Sequence, residues 1–208
     1  TLLSAEEKPG EESQGTGLAF LCLKDAKLAE QDALRKALAE WLKPETPDEL
    51  EVTIDKEKGQ FSVTLGKQFV VGQLVPKPLP KEDIEYACGN ALFWPEAKDI
   101  LKGHKAHVIV FAAGEYEGRM QRPLLLTRVI AGCSAVFPTS ALYWGDAAVV
   151  HKPDFFRKAA PPSGVDNDAP GLLWVGCLRE LYADGYMSLY TRGLSDSCCM
   201  VVERGRTL

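Results

Sequence analysis

The chain contains no apolar run that approaches the roughly 20 residues needed to span a bilayer. Its first residues, TLLSAEEKPGEESQG, lack the basic start and the long apolar centre of a secretory signal peptide. Its six cysteines form no C-x-x-C pair, and most of them lie in apolar runs such as FLCLK and AGCSAV. That placement is typical of reduced, buried thiols rather than of a disulfide framework. These absences predict a cytoplasmic protein with no membrane association.

Cationic charge is also scarce. The chain has 24 Lys and Arg against 29 Asp and Glu, which gives a net charge of −5, and it has no block of basic residues. Because nucleic-acid binding depends on neutralising phosphates with Lys and Arg, we do not expect a nucleic-acid partner. Acidic residues gather in 1–16, 45–51 and 166–168. They either steer a basic protein partner towards the surface or simply keep the protein soluble.

Motifs of the familiar enzyme classes are missing. The sequence has no H-E-x-x-H zinc-protease motif, no G-x-S-x-G nucleophile elbow and no glycine-rich nucleotide loop. Cys133 and Ser134 lie in a helical apolar run, which favours packing over nucleophilic catalysis. We therefore predict no catalytic residue, no metal and no cofactor, and we favour a binding protein over an enzyme.

The three histidines, His104, His107 and His151, are the first candidates for a site. His104 and His107 have the spacing H-K-A-H with no carboxylate between them, and Gly103 indicates that a helix has just ended. In a structural interpretation, these two imidazoles belong to a helix-to-strand joint, and His151 is a neutral polar group at a strand end. The alternative is a metal site that uses all three and adds a carboxylate or water.

Aromatic residues supply the remaining candidates. The YWGD segment places Tyr143, Trp144 and Asp146 beside Gly145, which allows a tight turn or a close backbone approach. These side chains either form a platform for a ligand or close the core at a strand end. The full set of candidate binding residues is Trp94, His104, His107, Tyr143, Trp144, Asp146 and His151.

Periodicity of the apolar residues predicts an α+β fold with mostly antiparallel sheet and with helices packed on one face. The predicted strands are 17–23, 50–54, 61–65, 68–75, 106–113, 141–144, 147–150, 172–181, 186–191 and 198–203, and the predicted helices are 28–42, 81–102 with a break at Pro95, 122–136 and 153–160. Residues 1–16 are predicted to be a flexible lead-in, and 17–208 a single domain. The repeated order of elements leaves open two ferredoxin-like halves, 17–105 and 106–208.

Several segments, taken in order, resemble a known bacterial family. They are WPEA, HKAHVIVF, LLLTRVIAG, ALYWGDAAVVHKPDFF and LWVGCLRELYADGYMSLYTRGL. The resemblance as a whole covers nearly the entire chain, from about Gly17 to Glu203. The family is called domain of unknown function 4261. The resemblance implies a shared fold and carries no catalytic assignment. Families of this kind often accompany toxin, immunity and secretion-system genes, which implies an immunity or adaptor role.

The leading hypothesis from the sequence is therefore a cytoplasmic, non-enzymatic binding protein, an immunity protein that covers the active surface of a cognate bacterial toxin. A basic toxin would suit the acidic charge balance. One alternative is a small-molecule-binding protein or enzyme, with a pocket lined by Trp94, His104, His107, Tyr143 and Trp144. Another alternative is an adaptor or structural component of a secretion assembly.

Overall fold

A seven-stranded antiparallel sheet is the centre of the fold in the computed structural model, which describes residues 17–91, 94–116, 118, 120–164, 169–181 and 187–193. Its strands are β1 (Leu18–Leu23), β2 (Leu50–Asp55), β3 (Gln60–Leu65), β4 (Gln68–Val75), β5 (Ala106–Gly114), β6 (Thr139–Trp144) and β7 (Val149–His151). Two further strands, β8 (Gly176–Leu181) and β9 (Met187–Arg192), pair with each other in a separate two-stranded sheet.

Six α-helices are described along the chain. They are α1 (Gln31–Leu42), α2 (Lys81–Gly89), α3 (Ala97–Leu101), α4 (Gln121–Val136), α5 (Pro153–Ala159) and α6 (Gly171–Trp174), and a 3₁₀ turn at Pro47–Glu49 leads into β2. The α+β class predicted from the sequence is confirmed. In the described part of the chain, no helix is long and apolar enough to cross a membrane.

The strand order of the large sheet is β2-β3-β4-β5-β1-β6-β7, and all neighbours are antiparallel. The first strand of the chain therefore lies in the middle of the sheet, paired with β5 on one side and β6 on the other. Strands from 17–105 and from 106–208 consequently belong to one sheet.

The helices are divided between the two faces of the sheet, whereas the sequence predicted helices on one face. Leu21 and Leu23 belong to the main core with α1 and α4, which we call the first face. Cys22 belongs to a smaller core with Ala87 of α2 and Leu101 of α3, on the second face. The reason is that β1 (LAFLCL) is apolar at every position, so it presents side chains for burial on both faces.

The second face is covered by helices over β1, β6 and β7, and it is more open over β4 and β5. Val71 pairs in register with Phe111, and Phe69 pairs with Ala113, which makes Phe69 and Phe111 diagonal neighbours on this face. Each of these two rings is 40 % exposed. A partly apolar surface thus lies beside the helix-covered region.

Element boundaries show where local sequence signals were overridden. α1 begins at Gln31, three residues after the predicted start, and Glu30 precedes it as the N-cap. Asp25 lies six residues before Gln31 and pairs with Lys105 at 3.0 Å. The short helix α6 was not predicted. The predicted strand 198–203 and the link between the predicted strands 172–181 and 186–191 lie outside the described residues.

Candidate functional site

His104 and His107 hold the extended, proline-rich segment that connects β4 to α2. The Leu79 N–H donates to His104 Nε2 at 2.8 Å, and His104 Nδ1–H donates to the carbonyl of Leu101 at the end of α3. His107 Nδ1–H donates to the Lys77 carbonyl at 2.8 Å. Both imidazoles thus bond to backbone where α3 ends and β5 begins.

The hydrogen bonds of His104 identify which of its ring nitrogens carries the proton. His104 accepts at Nε2 while it donates at Nδ1, so it is the neutral tautomer with its proton on Nδ1. Burial lowers the pKa of His107 below its usual value, and the hydrogen bond to the Lys77 carbonyl offsets part of this effect. Over the described ranges, no group of three or more His, Cys, Asp or Glu side chains is placed to hold a metal ion.

Tyr143 and Trp144 lie on opposite faces of the sheet, because adjacent residues of a strand alternate in direction. Trp144 is 3 % exposed in the main core and stacks on Trp174 with ring centroids 6.3 Å apart. Tyr143 packs on the second face against Phe20, at a centroid distance of 5.3 Å, and burial raises the pKa of its hydroxyl. The structure therefore does not bring these two aromatics into one pocket with His104 and His107.

Asp146 lies half-buried in the turn between β6 and β7. Its neighbour Gly145 donates its N–H to the Leu18 carbonyl at 3.0 Å. A Cβ at Gly145 would stand 3.0 Å from the same carbonyl oxygen, so glycine permits this close approach. The YWGD segment is therefore the end of a strand whose backbone packs closely against β1.

Two candidate residues, Trp94 and His151, do meet at a cavity. The cavity measures about 580 Å³ and opens beside β7, the edge strand of the large sheet. The link between α2 and α3 supplies Ala91 and Trp94 to one side, and β7 supplies Val149 and Val150. The volume lies within the range of roughly 300–1,000 Å³ that is usual for small-molecule sites.

The remaining walls come from later parts of the chain. Phe155 of α5, Leu172 of α6 and Val175 also line the cavity. Leu172 is 63 % exposed, which is unusual for so large an apolar side chain beside an open space. Cys177, at the start of β8, contributes an exposed thiol.

His151 is the most perturbed titratable group at this cavity. Its ring is 6 % exposed and stacks on Phe155 at a centroid distance of 6.1 Å. Burial lowers the pKa of His151 to about 4, so the imidazole is neutral at neutral pH. Its Nε2–H donates to the Leu173 carbonyl at 3.1 Å, which leaves a lone pair on Nδ1. No hydrogen bond to the other described residues uses this lone pair.

Two further polar groups border the same space. Asn90 donates from Nδ2 to the Tyr86 carbonyl at 3.0 Å, and its Oδ1 has no hydrogen bond to any described residue. Lys152 is exposed at the rim, and its ammonium forms no ion pair within the described ranges. The cavity therefore combines apolar walls with two hydrogen-bond acceptors inside and one cation at its edge.

A second, wider depression of about 740 Å³ lies near the β3–β4 turn. It is bordered by Lys67, Glu115, Tyr116 and Gln121. Lys67 and Glu115 pair with each other at 3.0 Å and are both exposed. An exposed pair of this kind is well hydrated and contributes little to binding, so this depression is the weaker candidate.

The described cysteines divide into packing and exposed thiols. Burial raises the pKa of Cys22 and of Cys133 far above the usual thiol value, so both stay protonated. This agrees with the packing role predicted for Cys133. Cys177 departs from the expectation that the cysteines in apolar runs are buried, because its position at the start of β8 leaves it exposed at the cavity.

Sequence reasoning named Trp94 and His151 but missed the other residues of the cavity. Asn90, Lys152 and Leu172 lie in separate elements, and no motif joins them. The one feature that points to the cavity is the exposure of Leu172, in the short G-L-L-W segment. This exposure can be known only from the structure.

Compared with protein-family models, with curated proteins and with solved structures, the chain matches none of them. The resemblance to domain of unknown function 4261 therefore stays a prediction, and the geometry of the site carries the functional argument.

Proposed function

We propose that this protein is a binding protein that takes an apolar ligand, or the apolar part of a ligand, into the cavity beside β7. The observation that carries the proposal is the cavity itself: about 580 Å³, apolar walls from several separate segments, and a few polar atoms that converge on it. Burying apolar ligand surface there gains about 25 cal/mol per Å² removed from water.

Binding suits the polar groups of the cavity better than catalysis does. His151 already donates its single N–H to Leu173, and its pKa of about 4 makes it a weak base at neutral pH. Its stacking on Phe155 and its hydrogen bond fix the ring in one orientation. A fixed, neutral acceptor orients a ligand without reacting with it.

The test uses a fluorescent apolar probe, N-phenylnaphthylamine, whose emission rises in an apolar site. We expect saturable binding to the full chain, together with energy transfer from tryptophan, since Trp94 lines the cavity. Replacing Gly171 with Phe should weaken binding at least tenfold. Gly171 borders the cavity, and a Cβ at this position would meet no atom within 4 Å, so the new ring can enter the open space.

Two matched variants control this test. Gly171→Ala adds a small group at the same position and should leave binding nearly unchanged. Gly89→Phe adds the same ring at another exposed glycine, where a Cβ also meets no atom within 4 Å and which does not line the cavity. Equal probe binding by Gly171→Phe and the native chain would refute the proposal.

The second candidate function is the one favoured by the sequence, an immunity protein that binds a toxin. The specific observation in its support is the open part of the second face, where Phe69 and Phe111 are each 40 % exposed. Apolar patches of this kind often mark protein–protein contacts, and the net charge of −5 favours a basic partner.

Co-expression with the product of the adjacent gene tests this second candidate. We expect rescue of growth and co-purification by the native chain, and loss of both in a Phe69→Asp, Phe111→Asp double variant. Tyr86→Asp, at an aromatic residue 47 % exposed on α2, is the control and should behave as the native chain does. Absence of rescue by the native chain would rule out this candidate.

A further inference from the structure

We propose that the ligand of the cavity beside β7 is an amphipathic carboxylic acid, with its hydrocarbon part inside and its carboxylate at Lys152. This inference rests on the proposed function and adds the chemical class of the ligand. It follows from the sign and position of the polar groups around the cavity, taken together with its apolar walls.

Among the described residues that line the cavity, the only charge is positive. Lys152 is the one charged residue among them. Asp154, the nearest acid along the chain, already pairs with Arg157 on α5. Its charge is therefore compensated, and the ammonium of Lys152 remains available to an anion. A Lys–carboxylate pair at a partly apolar rim is stronger than one in open water, because fewer water molecules compete for it.

The interior of the cavity disfavours an anion. His151 Nδ1 and Asn90 Oδ1 both present lone pairs, and an ionised carboxylate has only lone pairs to offer in return. Trp94, Val150 and Phe155 add apolar surface, and moving a charge from water into such surroundings is costly. The orientation of the ligand is therefore fixed: the carboxylate stays at the rim beside Lys152, and the hydrocarbon part points inward.

The experiment compares three probes that share one hydrocarbon chain: decanoate, decanol and decyltrimethylammonium. Titration calorimetry with the full chain should show decanoate binding about fivefold more tightly than decanol, which is the effect of one partly exposed ion pair. The cationic probe should bind more weakly than decanol. Raising the ionic strength should reduce the preference for decanoate, because salt screens the pair.

Variants of Lys152 identify the group responsible. Lys152→Met keeps the length of the side chain and removes its charge, so decanoate and decanol should bind equally well. Lys152→Arg keeps the charge and should keep the preference. Since Lys152 is exposed, both variants should fold, and unchanged decanol binding verifies this in the same titration.

The outcomes separate this inference from the proposed function. If decanol binds as tightly as decanoate to the native chain, or if Lys152→Met keeps the preference, the carboxylate assignment is wrong while the apolar site stands. If the cationic probe binds best, the sign of the charge is wrong. If none of the three probes binds, the proposed function itself fails.

Discussion

The joint at His104 and the cavity at His151 use the same buried side chain in opposite ways. The two rings are 5 % and 6 % exposed. At the joint, both ring nitrogens of His104 bond to backbone, so the imidazole is a structural link between the Pro76–Pro80 segment and α3. At the cavity, Nε2 of His151 bonds to the Leu173 carbonyl, and Nδ1 has no hydrogen bond to the described residues. Two equally buried histidines therefore differ in how many of their ring nitrogens bond to the described residues.

The largest expected effect is the pH dependence that His151 gives to stability. In the folded chain its pKa is about 4, and in the unfolded chain it is near 6.5. Between these values the unfolded chain binds more protons, so the free energy of unfolding falls as the pH drops from about 6.5 to about 4. The stabilisation is complete above the upper value, and the loss amounts to about 3 kcal/mol near the lower one.

Urea unfolding at several pH values checks this, with His151→Gln as the control. Glutamine retains an N–H for the Leu173 carbonyl and does not titrate in this range. The unfolding free energy of the variant should therefore lack most of the loss of about 3 kcal/mol expected for the native chain at low pH. His107, whose pKa burial also lowers, adds a slope of the same sign to both proteins. Identical slopes for the two proteins would show that His151 is not buried in its neutral form.

An intermediate effect is expected for His104→Phe. The substitution removes the acceptor of the buried Leu79 N–H, and an unsatisfied buried donor costs roughly 1–3 kcal/mol. The Leu101 carbonyl is not left alone, because it also accepts the backbone N–H of His104 at 3.2 Å. Thermal and urea unfolding followed by circular dichroism measure the loss. An unchanged midpoint would mean that the joint does not depend on this histidine.

The smallest effect is expected for His107→Phe. The lost bond ends on the carbonyl of Lys77, an exposed residue that water can reach, so the cost should stay below about 1 kcal/mol. The same unfolding measurement therefore ranks the two histidines of the H-K-A-H segment. A larger loss for His107 than for His104 would reverse our assignment of which one anchors the connector.

Much of the fold was predictable from local patterns. Strands β2, β3 and β4 follow the alternation in LEVTI, FSVTL and QFVVGQLV, and α4 follows the apolar pattern that begins near Arg122. The short α6 was missed because a four-residue helix leaves no periodicity to detect.

The candidate site was predictable only in part. Trp94 and His151 were singled out for their chemistry, and both line the cavity. Tyr143 and Trp144 were grouped because they are adjacent in the sequence. In a strand, however, adjacent side chains point to opposite faces, so the two aromatics are separated. Lys152 carried no signal of its own, since a lysine beside a proline resembles any exposed charge until the cavity next to it is known.

The sequence by itself determined most of the strands and helices, that β1 is apolar on both sides, and that the H-K-A-H histidines were favoured as parts of a helix-to-strand joint. Only the tertiary structure decided that β1 lies between β5 and β6, that helices cover both faces, and that the edge at β7 borders a cavity. The physical reason is that periodicity reports the direction of each side chain relative to its own backbone, whereas strand order and cavities depend on pairings between residues far apart in the chain.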